Sequence, residues 1–274
     1  MTATDIVTEC DKAVEAIVSS RLSSLYPSFS FMGEETYKPG DKLGPEPTFI
    51  CDPIDGTLNF VHGFPHACIS LGLAVDRVPV VGVVYNPWFD TMYTAIKGQG
   101  AFVRSPKPTF GKPLAVGEDA HQTRRLPLVN NNIPLVSLNT ALVLSEYGAT
   151  RDGSIYDAKT ETMTKLAAAP GSKNDGPMVH GIRMMGSAAL DLCTVATGGV
   201  DVYWEGGCWP WDVCAGWAIL TEAGGKMVGA NPGMWENEID SRLYLAVRPS
   251  PDDQGQKEIV EEFWAAMGNH KLDY

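Results

Sequence analysis

The stretch CDPIDGTLNFVHGFP, residues 51 to 65, places Asp52 and Asp55 three positions apart at the end of an apolar run and follows them with Gly-Thr. The run TFIC before it is typical of a short strand, and Gly56-Thr57 is typical of the start of a helical turn. Two carboxylates across such a turn can converge on Mg²⁺, which prefers oxygen ligands and keeps waters that a phosphate can replace. An Asp before a helix is also a common cap, so this motif alone leaves both interpretations open.

A second acidic motif follows the neighbouring strand-like run. Glu34, in GEE, comes directly after FSFM, just as DPIDGT follows TFIC. If the two strands are neighbours, Glu34 and Asp52 meet at one end of a sheet. A solvated loop acid explains Glu34 equally well.

Two further acids lie in the second half of the chain. Asp212 stands at the start of a helix-like segment, WPWDVCAGWAILTEAGG, directly after Trp209 and Trp211, which are placed to hold it rigid and partly desolvated. Glu205 ends the strand-like run VDVYWE and is near enough in sequence to reach the same cleft. The alternatives are a helix cap for Asp212 and an exposed strand end for Glu205.

The composition limits the possible partners. With 274 residues and a formal net charge of -12, the chain is poorly suited to neutralise nucleic-acid phosphates. No apolar run approaches the roughly 20 residues that span a bilayer, so we expect no membrane association. Six cysteines without a C-x-x-C pair, and no cleavable signal, predict a reducing compartment and a cytoplasmic location.

The order of apolar runs predicts a mixed α/β chain. An amphipathic helix is expected over 10–25, with Val14, Ile17, Val18, Leu22 and Leu25 at helical spacing. An antiparallel meander should follow, and strands should alternate with helices after residue 140. We therefore predict an N-terminal α+β subdomain over 1–140 and a C-terminal α/β subdomain over 141–274. Residues 103–137 and 150–178 are predicted as surface excursions, with a possible helix at 157–168.

Several common catalytic motifs do not occur. The sequence has no G-x-x-x-x-G-K-[ST] loop, no G-x-G-x-x-G fingerprint and no G-x-S-x-G elbow. His62 and His66 are four apart, but Gly63 and Pro65 interrupt the helix that a metal pair would need. The haloacid dehalogenase type of phosphatase is disfavoured because it needs its aspartates two apart, not three.

Taken together, four segments resemble the inositol monophosphatase family in order and approximate spacing, over most of the chain. They are GEE, DPIDGTLNF, GIRMMGSAALDLCTVATGGVDVYWE and WDVCAGWAILTEAGG. The pairing of DPIDGT with WDVCAG is the specific part of this resemblance. The surface excursions also resemble fungal members, including the one associated with quinate utilisation.

The resemblance implies a layered α/β/α/β/α sandwich and Mg²⁺-dependent hydrolysis of a small phosphorylated polyol, most simply inositol monophosphate, by a homodimer. By analogy, the first Mg²⁺ is held by Glu34, Asp52 and the Ile54 carbonyl. A second is held by Asp52, Asp55 and Asp212, and a weaker third ion lies near Glu34. Glu34 and Thr57, with Asp11 as partner of Thr57, form the catalytic set. The substrate-binding set is Asp55, Gly56, Thr57, Gly186, Ser187, Ala188, Glu205 and Asp212.

The chain also departs from the family pattern. Relatives carry a further helix and a lysine-bearing hairpin before the DIVTECD motif, so we expect exposed apolar surface on the 10–25 helix and a weakened third metal site. GGCWPWD replaces a stretch that often carries a histidine, and Gly148-Ala149 replaces a hydroxyl residue. The alternatives that remain are a sugar bisphosphatase, a nucleotide 3'-phosphate phosphatase, or a non-catalytic regulatory protein of the same fold.

Overall fold

The first half of the chain builds a seven-stranded sheet in strict chain order. The computed structural model describes residues 9–108, 119–129 and 133–274. The strands are β1 (Ser30–Gly33), β2 (Thr48–Asp55), β3 (Cys68–Val75), β4 (Val78–Asn86), β5 (Thr91–Ile96), β6 (Gly100–Pro106) and β7 (His121–Arg125). β1 and β2 are parallel, and every later neighbour is antiparallel, which confirms the predicted meander.

The second half builds a five-stranded sheet in the order β11-β12-β10-β8-β9. Its strands are β8 (Leu142–Ser145), β9 (Gly181–Arg183), β10 (Val202–Gly206), β11 (Lys226–Val228) and β12 (Leu243–Val247). β8 lies parallel to both β9 and β10, whereas β12 runs antiparallel to β10 and β11. The sequence analysis placed a strand at VDVYWE, which is β10, and predicted that strands alternate with helices in this half of the chain.

Helices fill the space between the sheets and cover their outer faces. They are α1 (Glu9–Leu25), α2 (Thr57–His62), α3 (Gly153–Ala167), α4 (Ala188–Ala196), α5 (Pro210–Glu222) and α6 (Gln256–Met267). α4 and α5 pack between the two sheets, α3 and α6 contact the far side of the second sheet, and α1 contacts β1 and β2. The layers are therefore α/β/α/β/α, as expected.

The described residues form three apolar cores, and the two larger ones hold these layers together. One lies between the sheets and joins Val84 and Ala95 of the first sheet to Ile219 of α5 and Tyr203 of the second sheet. The other packs Trp204 against Phe263 of α6. α4 and α5 are buried on nearly every side, and most of their residues are accordingly apolar. The division into subdomains at residues 140 and 141 stays a prediction.

The two predicted surface excursions are partly wrong. Residues 103–106 and 121–125 belong to β6 and β7, which pair through Phe102 and Arg125. β7 has the sequence HQTRR and lies at the edge of the sheet, where backbone hydrogen bonds to β6 hold it in place. Its side chains are polar, so the sequence shows no apolar strand pattern. The rest of that segment includes 109–118 and 130–132, which lie outside the described residues. The possible helix at 157–168 is confirmed as α3, but this helix is no surface excursion, since it buries Lys159, Met163 and Leu166.

α1 forms where predicted, but its buried face differs from the expected one. The buried residues of this helix are Asp11 and Glu15, whereas Ile17 is 69% and Leu25 is 54% exposed. Glu15 packs against Gly33, and its Oε2 accepts a hydrogen bond from the Glu35 backbone N–H at 2.9 Å. A polar contact therefore joins α1 to the sheet, and apolar side chains face outward as expected. No helix in the described ranges is long and apolar enough to cross a membrane.

Candidate active site

The ends of β1 and β2 bring the first two acids together. The parallel register pairs Gly33 with Cys51, and the Glu34 backbone N–H donates to the Cys51 carbonyl at 3.2 Å. The next residues along the chain, Glu34 and Asp52, are therefore neighbours, and each lies close enough to the other to affect its pKa. The expectation that they meet at one sheet end is confirmed.

Asp52, Asp55 and Asp212 form a compact acidic cluster. Each contributes one carboxylate oxygen to a set in which all three lie within 4.8 Å of one another. Asp52 and Asp55 flank a shift in the register of β2 against β3, and the Ile54 N–H donates to Asp52 Oδ1 at 2.9 Å. This irregularity turns both side chains toward the same end of the sheet.

Asp212 reaches the cluster from α5 and also stabilises the start of that helix. Its Oδ2 accepts a hydrogen bond from the Trp209 backbone N–H at 2.6 Å. The stacked rings of Trp209 and Trp211 flank the turn, with centroids 5.2 Å apart. The cap interpretation and the metal-ligand interpretation are thus compatible, because one oxygen caps the helix while the carboxylate also joins the cluster.

Burial and mutual repulsion disfavour the ionised forms of these acids. Burial, together with the charge of Asp212, raises the pKa of Glu34 to about 8. Burial and the charge of Asp55 raise the pKa of Asp212 to about 7, and burial and Glu34 also raise the pKa of Asp52. Buried carboxylates that repel one another need a counter-ion, and hard oxygen donors suit Mg²⁺. The residues present therefore fit a magnesium site.

Asp55 is held by the start of α4. Burial raises its pKa, but Ser187 Oγ and the Ala189 N–H each donate to Asp55 Oδ2 at 2.7 Å and oppose that rise. Ser187 also caps α4 by accepting from the Leu190 N–H. Ser187, which is predicted to bind the substrate, therefore also contacts Asp55, a predicted metal ligand.

Thr57 and Asp11 approach each other from distant parts of the chain. Thr57 Oγ1 donates to the Ile54 carbonyl at 3.0 Å and lies 3.4 Å from Asp11 Oδ1. Asp11 is buried under this contact. α1 therefore contributes to the site as well as covering the sheet.

Gly56 is required by the tight turn between Asp55 and Thr57. Its φ is 86°, and a Cβ at this position would lie 2.9 Å from the His66 carbonyl and 3.0 Å from the Gly186 carbonyl. Only glycine adopts this conformation so close to two backbone oxygens without strain.

One pocket gathers most of the predicted residues. Its lining includes Glu34, Asp55, Gly56, Thr57, Gly186, Ser187, Ala188, Glu205 and Asp212. The three remaining predicted residues, Asp11, Asp52 and Ile54, lie next to this wall through the contacts described above. The pocket thus contains acid oxygens near α5 and the Glu205 carboxylate at the end of β10.

The sequence analysis missed several residues in or next to the pocket. Lys159 donates to Glu205 Oε1 and to the Gly206 carbonyl. The Arg242 guanidinium lies 3.9 Å from the ring centroid of Trp209, and Tyr274 lines the pocket. Helical periodicity along α3 would have placed Lys159 on the same face as Met163 and Leu166.

Comparisons with known proteins agree with this geometry. The family model described as "Inositol monophosphatase family" matches residues 1–267. Inositol monophosphatase 2 of Saccharomyces cerevisiae is 46% identical over 98% of this chain and 85% of its own length. Quinic acid degradation cluster protein x of Neurospora crassa is 39% identical over 99% of this chain and 82% of its own length.

A solved structure gives the same picture for the fold. The inositol monophosphatase from Anabaena superposes with a TM-score of 0.69 at 29% identity, covering 97% of this chain and 88% of that one. Family match, sequence relatives and fold all extend over nearly the full length of the chain. This protein belongs to the inositol monophosphatase family, a family of phosphatases.

Proposed function

We propose that this protein hydrolyses inositol monophosphate to inositol and phosphate with the help of Mg²⁺. The observation that carries the proposal is the convergence of Asp52, Asp55 and Asp212 oxygens within 4.8 Å beside a pocket that also contains Glu205. A phosphate monoester resists spontaneous hydrolysis, so a site of this kind must stabilise the transition state strongly. Sequence relatives named inositol monophosphatases support the choice of alcohol.

The acidic cluster supplies the metal ligands in this proposal. Glu34, Asp52 and the Ile54 carbonyl would hold one Mg²⁺, and Asp52 would share a second with Asp55 and Asp212. A weaker third ion near Glu34 is part of the proposal. Bound Mg²⁺ supplies Lewis-acid stabilisation of phosphoryl oxygens and lowers the pKa of a water. The repulsion that raises the carboxyl pKa values supports this assignment, because cations relieve it.

Thr57 orients the attacking water in the proposed reaction. Its hydroxyl donates to the Ile54 carbonyl at 3.0 Å, so the lone pairs of its oxygen are left to accept a hydrogen bond from water. Asp11, 3.4 Å from the same hydroxyl, restricts the rotation of Thr57. Asp11 and Thr57 thus fix the direction of attack, which an in-line displacement needs.

The rest of the pocket accommodates the alcohol. Glu205 is buried at the end of β10 and presents carboxylate oxygens, which accept hydrogen bonds from hydroxyl groups. Gly186, Ser187 and Ala188 form the adjacent turn on the pocket wall. We further propose that the enzyme acts as a cytoplasmic homodimer, and its similarity to yeast and Neurospora proteins supports a fungal source.

A panel of phosphate esters tests the substrate. Phosphate release is measured from inositol 1-phosphate, a sugar bisphosphate and a nucleotide 3'-phosphate, each with saturating Mg²⁺. The proposal predicts the highest kcat/KM for the inositol ester. A higher value for either other ester would assign the protein to that substrate instead. Thermal stabilisation by Mg²⁺ without release of phosphate from any ester would identify a non-catalytic binding protein.

A further inference from the structure

Lys159 is a completely buried cation directly behind the pocket. It projects inward from α3 and donates to Glu205 Oε1 and, at 2.9 Å, to the Gly206 carbonyl. Two of its ammonium protons therefore have acceptors, and a lysine is almost never buried unless it is paired in this way.

Glu205 depends on that cation for its charge. The groups that face it are Lys159, Glu146, Asp191, Tyr203, Cys208 and Tyr274. Of these, Lys159 carries the positive charge, whereas Glu146 and Asp191 are acids. Burial raises the pKa of Glu205 to about 7 even with Lys159 opposing the rise. Removing the ammonium would therefore favour the protonated acid.

The contacts of Glu205 also fix its orientation. Lys159 binds Oε1, and the Glu146 backbone N–H donates to Oε2 at 3.1 Å. Each carboxylate oxygen accepts about two hydrogen bonds, so each retains capacity for one more donor. Glu205 lines the pocket, and Lys159 does not. The lysine thus acts on a ligand through Glu205.

We propose that Lys159 is a positioning residue that holds Glu205 as an ionised acceptor for a hydroxyl of the substrate alcohol, and so sets the preference for polyol phosphates. This inference rests on the function proposed for the same pocket. A carboxylate accepts from a hydroxyl more strongly than a neutral acid does. An ester whose alcohol has no further hydroxyl gains nothing from this arrangement.

A purely structural role makes a different prediction. The ion pair also ties α3 to β10, so losing it would loosen that wall of the pocket. Loosening the wall would lower activity toward every ester alike. The positioning role instead predicts a loss confined to esters whose alcohol bears hydroxyl groups.

The test compares Lys159→Met with Lys165→Met, which removes a partly exposed lysine from the same helix. Kinetics are measured with inositol 1-phosphate and with p-nitrophenyl phosphate, whose alcohol has no further hydroxyl. We expect Lys159→Met to lower the ratio of kcat/KM for the first ester over the second by at least tenfold, mainly through KM, because a hydrogen bond to a charged group is worth that much. Lys165→Met should leave the ratio unchanged.

A double-mutant cycle with Glu205→Gln supplies the second readout. In the wild-type background, Glu205→Gln should lower the same ratio about tenfold. In the Lys159→Met background it should lower the ratio less than threefold, because the two substitutions disrupt the same interaction. The double variant leaves no unpaired buried charge, so it can be measured even where Lys159→Met alone fails to fold. Equal losses for the two esters, or fully additive losses, would overturn the positioning role.

Calorimetric binding of inositol 1-phosphate to the Mg²⁺-loaded proteins separates this inference from the proposed function. If the wild type hydrolyses neither ester but binds the inositol ester, and Lys159→Met weakens binding at least tenfold, the hydrolytic function fails and the role of Lys159 stands. If Lys159→Met binds the ester as tightly as the wild type, the role of Lys159 fails whatever the hydrolytic result.

Discussion

Asp212→Asn should make the metal-free protein more stable while it abolishes the response to Mg²⁺. The substitution keeps an oxygen that can accept the 2.6 Å hydrogen bond from the Trp209 N–H, so the start of α5 keeps its cap. It removes one negative charge from a cluster of three aspartates. Stability and activity are therefore expected to change in opposite directions.

The size of this effect follows from the geometry. Two ionised carboxylates 4.8 Å apart repel each other by about 3.5 kcal/mol at an effective dielectric constant of about 20. The carboxyls share protons because their pKa values are raised, so only part of this repulsion acts in the folded protein. One pKa unit corresponds to about 1.4 kcal/mol. We expect a gain of about 1–2 kcal/mol at pH 8, which raises the Tm by about 2–6 °C.

The assay is thermal unfolding at pH 8 with EDTA or with Mg²⁺, followed by phosphate release. The Tm of the wild type should rise when Mg²⁺ is added. Asp212→Asn should have a higher Tm without metal, a Tm that changes little with Mg²⁺, and a kcat that is at least a hundredfold lower. Asp191→Asn, a buried acid on α4 outside the cluster, is the matched control and should keep the Mg²⁺ response. An Asp212→Asn protein that is still stabilised by Mg²⁺ would refute the ligand assignment, and a lower metal-free Tm would refute the repulsion.

Three further predictions follow from the same site. Glu34 and Asp212 have folded pKa values of about 8 and about 7, above their ordinary values of 4.5 and 3.8, so the folded metal-free protein binds more protons than the unfolded chain. Its Tm should therefore fall as pH rises from about 4 to 8, and a Tm that rises over this range at constant salt would contradict the raised pKa values. Thr57→Val should lower kcat about a hundredfold and keep the Mg²⁺-induced rise in Tm, and a nearly unchanged kcat would exclude Thr57 from orienting the water. Gly56→Ala should lower the free energy of unfolding, measured by urea denaturation, by roughly 1–3 kcal/mol, because φ is 86° and the added Cβ would meet the His66 carbonyl. An Ala variant as stable as the wild type would show that the turn relaxes without strain.

The Glu34–Asp52 part of the acidic cluster was accessible from sequence because strand ends are local signals. GEE and DPIDGT each follow a short apolar run, and parallel pairing of β1 with β2 places Glu34 beside Asp52. The position of Asp212 depends on how α5 packs between the sheets, which no local pattern shows. There the resemblance of WDVCAG to a known family supplied the connection.

The errors came from long-range and polar contacts. Lys159 meets Glu205 across 46 positions of sequence, so neither residue predicts the other. α1 buries Asp11 and Glu15 where its apolar periodicity favoured other positions. The Thr57 hydroxyl contacts Asp11, and the Glu35 backbone N–H donates to one oxygen of Glu15, and neither donor is visible in a local sequence pattern. β7 was missed because the pairing of an edge strand needs backbone groups and not apolar side chains.

The most direct test of the account is phosphate release from inositol 1-phosphate as Mg²⁺ is titrated into protein that has been freed of metal with EDTA. The acidic cluster predicts no turnover without the ion and a rise to saturation as the cluster fills, lost in Asp212→Asn. Turnover that persists in EDTA, or a folded Mg²⁺-loaded protein that releases no phosphate, would contradict the central claim that these carboxylates form a metal-dependent phosphatase site.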